Sequence, residues 1–401
     1  MLLLTEGVKV MVEQRVRSRG VWLIRAVVLV ALFAGCSPIT PASAPTSAPT
    51  AAPKPTAQPT PAPQATTAVG KPQLAPPQTA AYTPTPLNPR VPVRVMDNQV
   101  TSMAPVYVAF DRGYFAQEGL DVDLQVLNDN SAIIQTLATN QSQFAVTTPD
   151  PVIFNAIARG IDIKILAPST VNAQTDRPAQ FVVRQDLIDS GAYKTESDLR
   201  GLTVAAPAQS SQWYVEKTLS LGGLSLKDVN LTVVRTPEML AAFASKVIDA
   251  AWVPEPAATA VNAQGLGKTI RSTGELYPGA VAAALMMAPQ FGQEHPEAAQ
   301  KFLIAYVRGA RAYYSDWMLK QGDSASIVRS FVTHTTIKDP TLYDKIGLPS
   351  VEPNVSTDPT ESWNVFQDFF FRQGLQERKI DLSKYVDFSL RDNAISTLGR
   401  V

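Results

Sequence analysis

Cysteine and histidine are nearly missing from this chain. Its 401 residues include one Cys and two His. A lone cysteine excludes an intrachain disulfide framework, a structural zinc-cysteine site and a dithiol redox centre. Two histidines leave little material for histidine-based metal or acid-base chemistry. No Gly-x-x-x-x-Gly-Lys loop is present, which argues against a P-loop nucleotide hydrolase. No apolar run reaches the roughly 20 residues that a membrane-spanning helix needs. Acidic residues are absent from the whole of 37–90, where 15 of the chain's 32 prolines fall.

That Pro/Ala/Thr-rich stretch has too few apolar side chains to offset the cost of ordering its backbone. Folding is therefore expected over 91–401, a length that suits two lobes. The net charge of zero conceals a division. Residues 1–90 carry eight Lys/Arg and two Glu, which leaves 27 basic and 33 acidic residues beyond them, a net of about −6. A mildly acidic folded part argues against a nucleic-acid binder, whose footprint is basic.

The first 35 residues have the layout of an export signal. Arg15, Arg17, Arg19 and Arg25 form a positive head; the apolar run Ala26–Ala34 follows, then small residues, then Cys36. Phe33-Ala34-Gly35-Cys36 resembles the lipobox of bacterial lipoproteins, which implies cleavage before Cys36 and acylation of its sulfur. Leu32 lies one place earlier than that motif prefers. Each buried CH₂ of an acyl chain contributes about 0.8 kcal/mol, so a multiply acylated cysteine is a stable anchor. Residues 36–90 then read as the lipidated Cys and a tether, with a reach between about 40 Å as a coil and about 170 Å as extended polyproline. The expected location is the cell membrane, lipid-anchored at its extracytoplasmic face.

Beyond the tether, strand and helix patterns alternate. Strands are expected at Val91–Met96, Val122–Leu127, Phe144–Val146, Ile161–Leu166, Phe181–Val183, Leu202–Ala206, Leu231–Val234, Ala250–Val253 and Val281–Ala288. Helices are expected at Pro105–Glu118, Ala132–Thr139, Pro151–Arg159, Trp213–Gly222, Pro237–Ser245, Pro256–Ala263 and Pro296–Leu319, with a mainly helical tail. This alternation predicts an α/β fold with mainly parallel sheets flanked by helices, and ligands at the carboxyl ends of the strands.

A weak internal repeat supports two similar lobes. Phe144–Pro151 overlays Asp249–Pro256 at an offset of 105, aligning Asp150 with Glu255; an offset of 109 aligns Thr101 and Ser102 with Ser210 and Ser211. Each half then offers two strand–polar loop–helix junctions.

Four segments carry a resemblance. Pro105-Val-Tyr-Val-Ala-Phe-Asp-Arg-Gly-Tyr-Phe-Ala-Gln-Glu-Gly-Leu-Asp-Val resembles the first helix and second strand of the periplasmic binding proteins for sulfonates, nitrate and thiamine-precursor pyrimidines. Asn140-Gln-Ser-Gln-Phe-Ala, Asp198-Leu-Arg-Gly-Leu-Thr-Val, and Ile248-Asp-Ala-Ala-Trp with Glu255-Pro256 follow in that family's order. The similarity covers about 93–320. It implies a two-lobe, type II periplasmic-binding-protein clamshell: lobe 1 over 91–183, lobe 2 over 184–282, and a return to lobe 1 with C-terminal helices over 283–401. The hinge crossings are expected near Val182–Arg184 and Ala283–Met287. It also implies a monomer that binds a small-molecule ligand and serves ABC permease and ATPase subunits, with the membrane engaged through Cys36 and no cofactor or metal.

The expected ligand residues are Asn98, Thr101, Ser102, Tyr107, Thr147, Thr148 and Asp150 in the first lobe. Those in the second are Gln209, Ser210, Ser211, Trp213, Trp252 and Glu255. Hydroxyls beside free N–H groups at helix starts make a cradle for polar ligands. The same residues serve equally as helix caps. Asp150 before Pro151 is a strong capping pattern, whereas Glu255 is a poorer cap type and so a better contact candidate. Carboxylates at matching places in both lobes would repel a sulfonate or nitrate and suit a ring or arm that presents donors. Trp213, Trp252 and Tyr107 would add flat faces. The resemblance extends to a riboflavin-binding branch, so an aromatic vitamin-type heterocycle is expected, riboflavin ahead of a pyrimidine, with alkanesulfonate, taurine or nitrate as the alternative. A pyrimidine-synthase-like enzyme is a distant third, because its cysteine-rich motif is missing and neither His295 nor His334 falls on a cleft loop. No catalytic residue is expected.

Overall fold

Short runs of Val, Ala, Ile and Phe between glycine and proline punctuation form the strands of a computed structural model that describes residues 82–401. The expected signal peptide over 1–35, Cys36 and the expected tether up to residue 81 lie outside the described residues. Lobe 1 opens with β1 (Val91–Asp97), α1 (Ala104–Asp111), α2 (Tyr114–Gln117), β2 (Leu120–Val126), α3 (Asn130–Ala138), β3 (Phe144–Thr147), α4 (Pro151–Ala158) and β4 (Lys164–Val171). The single helix expected over Pro105–Glu118 is two, because Gly113 adopts a left-handed φ of 68° between them.

Lobe 2 follows with β5 (Ala179–Arg184), α5 (Gln185–Asp189), β6 (Thr203–Ala206), α6 (Gln212–Leu221), β7 (Asn230–Val233), α7 (Met239–Ala244), β8 (Ala250–Pro254), α8 (Ala257–Ala263) and β9 (Gly267–Ser272). The short helix α9 (Thr273–Leu276) leads back to β10 (Val281–Met287), then α10 (Pro289–Glu294), α11 (Pro296–Tyr313), α12 (Ser324–His334), α13 (Thr360–Arg372) and α14 (Ser389–Leu398). Strand β9 was not expected from the sequence. It is Gly-Lys-Thr-Ile-Arg-Ser, with one large apolar residue, and it can be polar because it forms an edge of its sheet.

The two five-stranded sheets have the same order, β2-β1-β3-β10-β4 and β7-β6-β8-β5-β9. In each, β1–β3 and their counterparts β6–β8 pair in parallel, and one strand from elsewhere in the chain, β10 or β5, inserts antiparallel. The offset-105 repeat therefore overlays β3 on β8, and the offset-109 repeat carries the turn Thr101–Met103 to 210–212, overlapping the turn Gln209–Ser211.

The insertions move the expected hinge. Val182–Arg184 and Ala283–Met287 are interior to β5 and β10, so the chain changes sheets earlier each time, over 172–178 and 273–280. The first lobe thus ends before residue 179, not at 183, and β10 returns to it from 281, two residues before the expected 283. The two crossings bond to each other. Asn172 N–H donates to Ala280 O at 2.8 Å, Gly279 N–H to Asn172 O at 2.8 Å, and Gly274 N–H to Asp176 O at 3.0 Å. A Cβ on Gly274 would lie 2.0 Å from Ala173 O, so glycine is what lets the crossings touch.

Residues 82–90, expected in the tether, are also part of lobe 1. The Tyr82 hydroxyl donates to the buried Glu118 carboxylate at 2.9 Å, and Leu87 N–H to Glu118 O at 3.1 Å. Tyr82 and Leu87 are the large apolar side chains of this segment, and both pack against the lobe 1 core.

That core is continuous with the C-terminal helices. Phe302 of α11 stacks on Phe144 with ring centres 3.7 Å apart, and the Trp363 indole of α13 donates to Val281 O at 3.0 Å. Lobe 2 has two smaller cores, one per sheet face. Phe181, Val183, Ala250 and Trp252 point one way; Val182, Ala251 and Val253 point the other. A strand covered on both faces loses the polar alternation of a surface strand, which is why β5 and β8 read as plain apolar runs.

Candidate ligand-binding cleft

The carboxyl ends of β1 and β8 approach one another beside the first hinge crossing. Between them is a cavity of about 190 Å³, lined by Gln99, Val100 and Thr101 from lobe 1, Pro254 and Glu255 from lobe 2, and Pro178 of the crossing. The remaining wall is Thr335–Ile337 and Ile346–Leu348. Two expected residues, Thr101 and Glu255, thus meet across one space.

The wall over 335–348 was missed in the sequence. It lies in a tail read as mainly helical, and its placement depends on contacts far away in the chain. Asp176 of the crossing accepts from Ser350 N–H at 2.9 Å and from the Ser350 hydroxyl at 2.8 Å, while Val171 N–H donates to Ser350 O at 3.0 Å. The signal available was the pair of triplets Thr-Thr-Ile and Ile-Gly-Leu among Asp and Pro breakers.

Glu255 is a cap after all. Its carboxylate accepts from Thr259 N–H and from the Thr259 hydroxyl, both at 3.0 Å, and from Gln180 Nε2 at 2.5 Å. Burial lifts its carboxyl above the ordinary range, opposed by those donors. Asp150 behaves in parallel at the start of α4. Its Oδ1 accepts from Val152 N–H at 2.8 Å, and burial raises its carboxyl against the hydrogen-bonding pull of Val152, of Ser210 from the opposite lobe, and of Asn130. The two repeat-related carboxylates therefore share a role, a partly desolvated setting and a position at the lobe interface. Glu255 differs from expectation because a carboxylate on a longer arm can still reach the N–H four residues on.

The other expected residues divide. Asn98 is half-buried, and its Oδ1 is buried without a partner among the described residues. Ser102 lends its carbonyl to the Ser169 hydroxyl at 2.5 Å. Ser210 and Ser211 are half-buried, and the Ser211 side chain caps nothing. Thr148 and Gln209 are exposed. Thr147 is buried within its sheet, its hydroxyl on Met286 Sδ at 3.3 Å.

The three aromatic residues present no open faces. Tyr107 is fully buried, its hydroxyl donated to Asp97 and its ring stacked on His334 at 4.7 Å. Trp252 lies flat against Tyr214, with centres 4.5 Å apart and planes 1° from parallel. Trp213 packs between Tyr214, Tyr277 and Phe366, joining lobe 2 to the second crossing and to α13. Rings of this size at strand ends and first helical turns gain most by entering a core, and these have done so. The cavity wall is aliphatic and hydroxylic instead.

Among the described residues, no group of three or more His, Cys, Asp or Glu is placed to hold a metal, and no helix is long and apolar enough to cross a membrane.

Comparison with known proteins fits this geometry. Residues 100–316, more than half of the chain, match the family described as NMT1/THI5 like. The chain belongs to that family. A relative of known name is the riboflavin-binding protein RibY of Chloroflexus aurantiacus, 23% identical over 388 residues, covering 93% of this chain and 97% of the relative. The solved fold of a putative sulfonate ABC transporter's periplasmic binding protein, SsuA of Methylobacillus flagellatus KT, superposes with a TM-score of 0.62 at 16% identity, over 77% of this chain and 95% of that one. The desulfurization enzyme DszB superposes with a TM-score of 0.56 at 14% identity, over 77% and 99%. The architecture of this NMT1/THI5-like protein is thus shared by binding proteins and by an enzyme, so its function must be argued from its site.

Proposed function

We propose that the protein is the extracytoplasmic solute-binding component of an ABC importer, anchored through acylated Cys36, that captures a donor-bearing aromatic heterocycle between its lobes and delivers it to a permease. Riboflavin is the favoured ligand, ahead of a thiamine-precursor pyrimidine. The observation that carries this reading is the pair of capping carboxylates, Asp150 and Glu255, at equivalent strand ends of the two lobes. Each accepts hydrogen bonds, neither has a salt-bridge partner among the described residues, and a buried anion beside them would be opposed by both. Likeness to RibY along nearly the whole of both chains supports the same ligand class.

The ligand would bridge the lobes and favour their closed arrangement by its higher affinity for it. With Tyr107, Trp213 and Trp252 engaged in cores, contact with ring faces falls to Pro178, Pro254, Ile337, Ile346 and Leu348. A second reading has an observation in its favour. At about 190 Å³ the cavity is smaller than the roughly 300–1,000 Å³ of drug-sized sites. That size suits an alkanesulfonate, taurine or nitrate as it stands, whereas a heterocycle with a side arm needs the lobes to part first.

The test is to purify the chain from a cytosolic host, denature it, and record the visible and mass spectra of what is released. A yellow, fluorescent molecule of flavin mass supports the favoured ligand. Thermal shifts with taurine and nitrate but none with riboflavin or pyrimidines would overturn the carboxylate argument.

A further inference from the structure

The first crossing changes lobe within one residue. Asp176 is held to lobe 1. Its Oδ2 accepts from Ser350 N–H at 2.9 Å and from Ala173 N–H at 3.0 Å, and its Oδ1 accepts from the Ser350 hydroxyl at 2.8 Å. The Ser350 segment is itself fastened to lobe 1. Val171 N–H of β4 donates to Ser350 O at 3.0 Å, and the Tyr313 hydroxyl of α11 donates to Pro349 O at 2.8 Å. Two residues beyond Asp176, Pro178 is held to lobe 2: its carbonyl accepts from Glu255 N–H at 3.0 Å, and β5 begins at the next residue. Arg177 alone lies between.

The clasp on Asp176 is firm. A buried carboxylate is costly unless donors satisfy it, and here three do, through charge-assisted hydrogen bonds that fix its direction. The Asp176 carbonyl accepts in addition from Gly274 N–H at 3.0 Å, so the second crossing touches the first at this same residue.

The cavity wall bears on the next residue. A Cβ on Gly347 would lie 2.7 Å from Arg177 Cβ, 2.8 Å from its N and 2.9 Å from its Cα, so glycine is what lets the wall press against Arg177. Gly347 and Leu348 line the cavity, and so does Pro178. Three lining residues therefore stand on the two sides of Arg177: Pro178 moves with lobe 2, while Gly347 and Leu348 are tied through Pro349 and Ser350 to lobe 1. A rotation about Arg177 changes their spacing, and with it the room for a solute.

We propose that Asp176 is the fulcrum of lobe closure, a positioning residue whose carboxylate confines the bend of the first crossing to Arg177 and, through Ser350, holds the Gly347–Leu348 wall over that bend. It touches no solute itself. It sets the lobe separation at which Pro178 and the wall grip one. The inference rests on the reading of the cleft as a solute site, but not on which solute fills it.

The test compares the full-length chain with Asp176→Ala, Asp176→Asn and Ser350→Ala. The readouts are the melting temperature, titration with riboflavin, a 4-aminopyrimidine, taurine and nitrate, and the interlobe distance between spin labels at Val126→Cys and Val233→Cys in a Cys36→Ser background. Both valines are exposed, at the ends of β2 and β7. Asp176→Ala should lower the melting temperature, broaden the ligand-free distance distribution, and weaken whichever probe binds by about fivefold or more. Asp176→Asn should lose much less in all three. One amide oxygen can still accept from the N–H groups of Ala173 and Ser350, which share Oδ2, and the amide nitrogen can donate to the Ser350 hydroxyl. Ser350→Ala removes one of the three donors and should fall between wild type and Asp176→Ala. Two results would overturn the proposal: an Asp176→Ala chain that melts lower with its distance distribution and affinity unchanged, which is a purely structural role, or an Asp176→Asn chain as impaired as Asp176→Ala. If no probe binds the wild-type chain, the ligand classes of the proposed function fail, and the ligand-free distance distributions still decide whether Asp176 is the fulcrum.

Discussion

The two lobes share a sheet order and differ in what covers it. Lobe 1 carries α10–α14, about the last quarter of the chain, and its core runs from β1 through Phe302 to Trp363. Lobe 2 has only its own short helices and two small cores. Its link to the larger body, besides the crossings, includes Trp213 against Phe366 and the pairing of Glu216 on α6 with Arg372 and Gln373 on α13 at 2.7 and 3.1 Å. The comparison teaches that equal topology does not bring equal stability. A lobe with less buried apolar surface has less to set against the entropy of ordering its backbone, so lobe 2 should be the first to loosen.

Trp252→Ala is the severest way to break this comparison. It removes a fully packed ring from the smaller core and should cost about 3–5 kcal/mol. Hydrogen exchange should show β5–β9 losing protection while β1–β3 keep theirs; equal loss in both lobes would mean that they unfold as one unit.

Gly274→Ala should rank next, at about 1–3 kcal/mol in a denaturant melt, since its Cβ would push the crossings apart. Because it strikes the junction, it should lower the lobes' separate transitions less than it alters ligand-driven closure.

The capping carboxylates sharpen the likeness of the lobes. Burial raises both Asp150 and Glu255, so each contributes stability that is complete at acid pH, below the unfolded carboxyl value, and lost as pH rises through the raised folded value. The slope that these two groups add to melting temperature against pH is therefore downward from about pH 4 upward, opposite to that of carboxyls held low such as Asp186. Asp150→Asn and Glu255→Gln should each flatten that slope, and to a similar degree if the lobes are equivalent.

Arg372→Ala should have the smallest effect, at most about 1 kcal/mol, because the Arg372 side of its pairing with Glu216 is exposed; the difference in melting temperature from wild type should shrink in high salt.

Much of this architecture was legible in the chain, and the failures have physical causes. Apolar runs such as β3 and β8 declare themselves because strands buried on both faces must be largely apolar. The polar edge strand β9 has no such obligation and left no signal. The crossings were placed inside β5 and β10 because periodicity reports a strand but not which sheet it joins; that is settled by the antiparallel insertions. For the cleft, the repeat of Asp150 with Glu255 was visible because both stand before a proline at a strand end. Trp213, Trp252 and Tyr107 were misplaced because a ring near a loop reads alike whether it faces a core or a cavity. The Thr335–Leu348 wall went unseen, since contacts between segments over 170 residues apart place it.

The central claim is that the lobes close on a donor-bearing solute, and an interlobe distance measures it most directly. Val126 and Val233 end the equivalent edge strands β2 and β7 and are both exposed, 57% and 54%. Spin labels at Val126→Cys and Val233→Cys, in a chain with Cys36→Ser, would report lobe separation. The account predicts a distribution that narrows and shortens with riboflavin or a pyrimidine and is unmoved by taurine or nitrate. Shortening by the anions alone, or no change with any of the four, would contradict it.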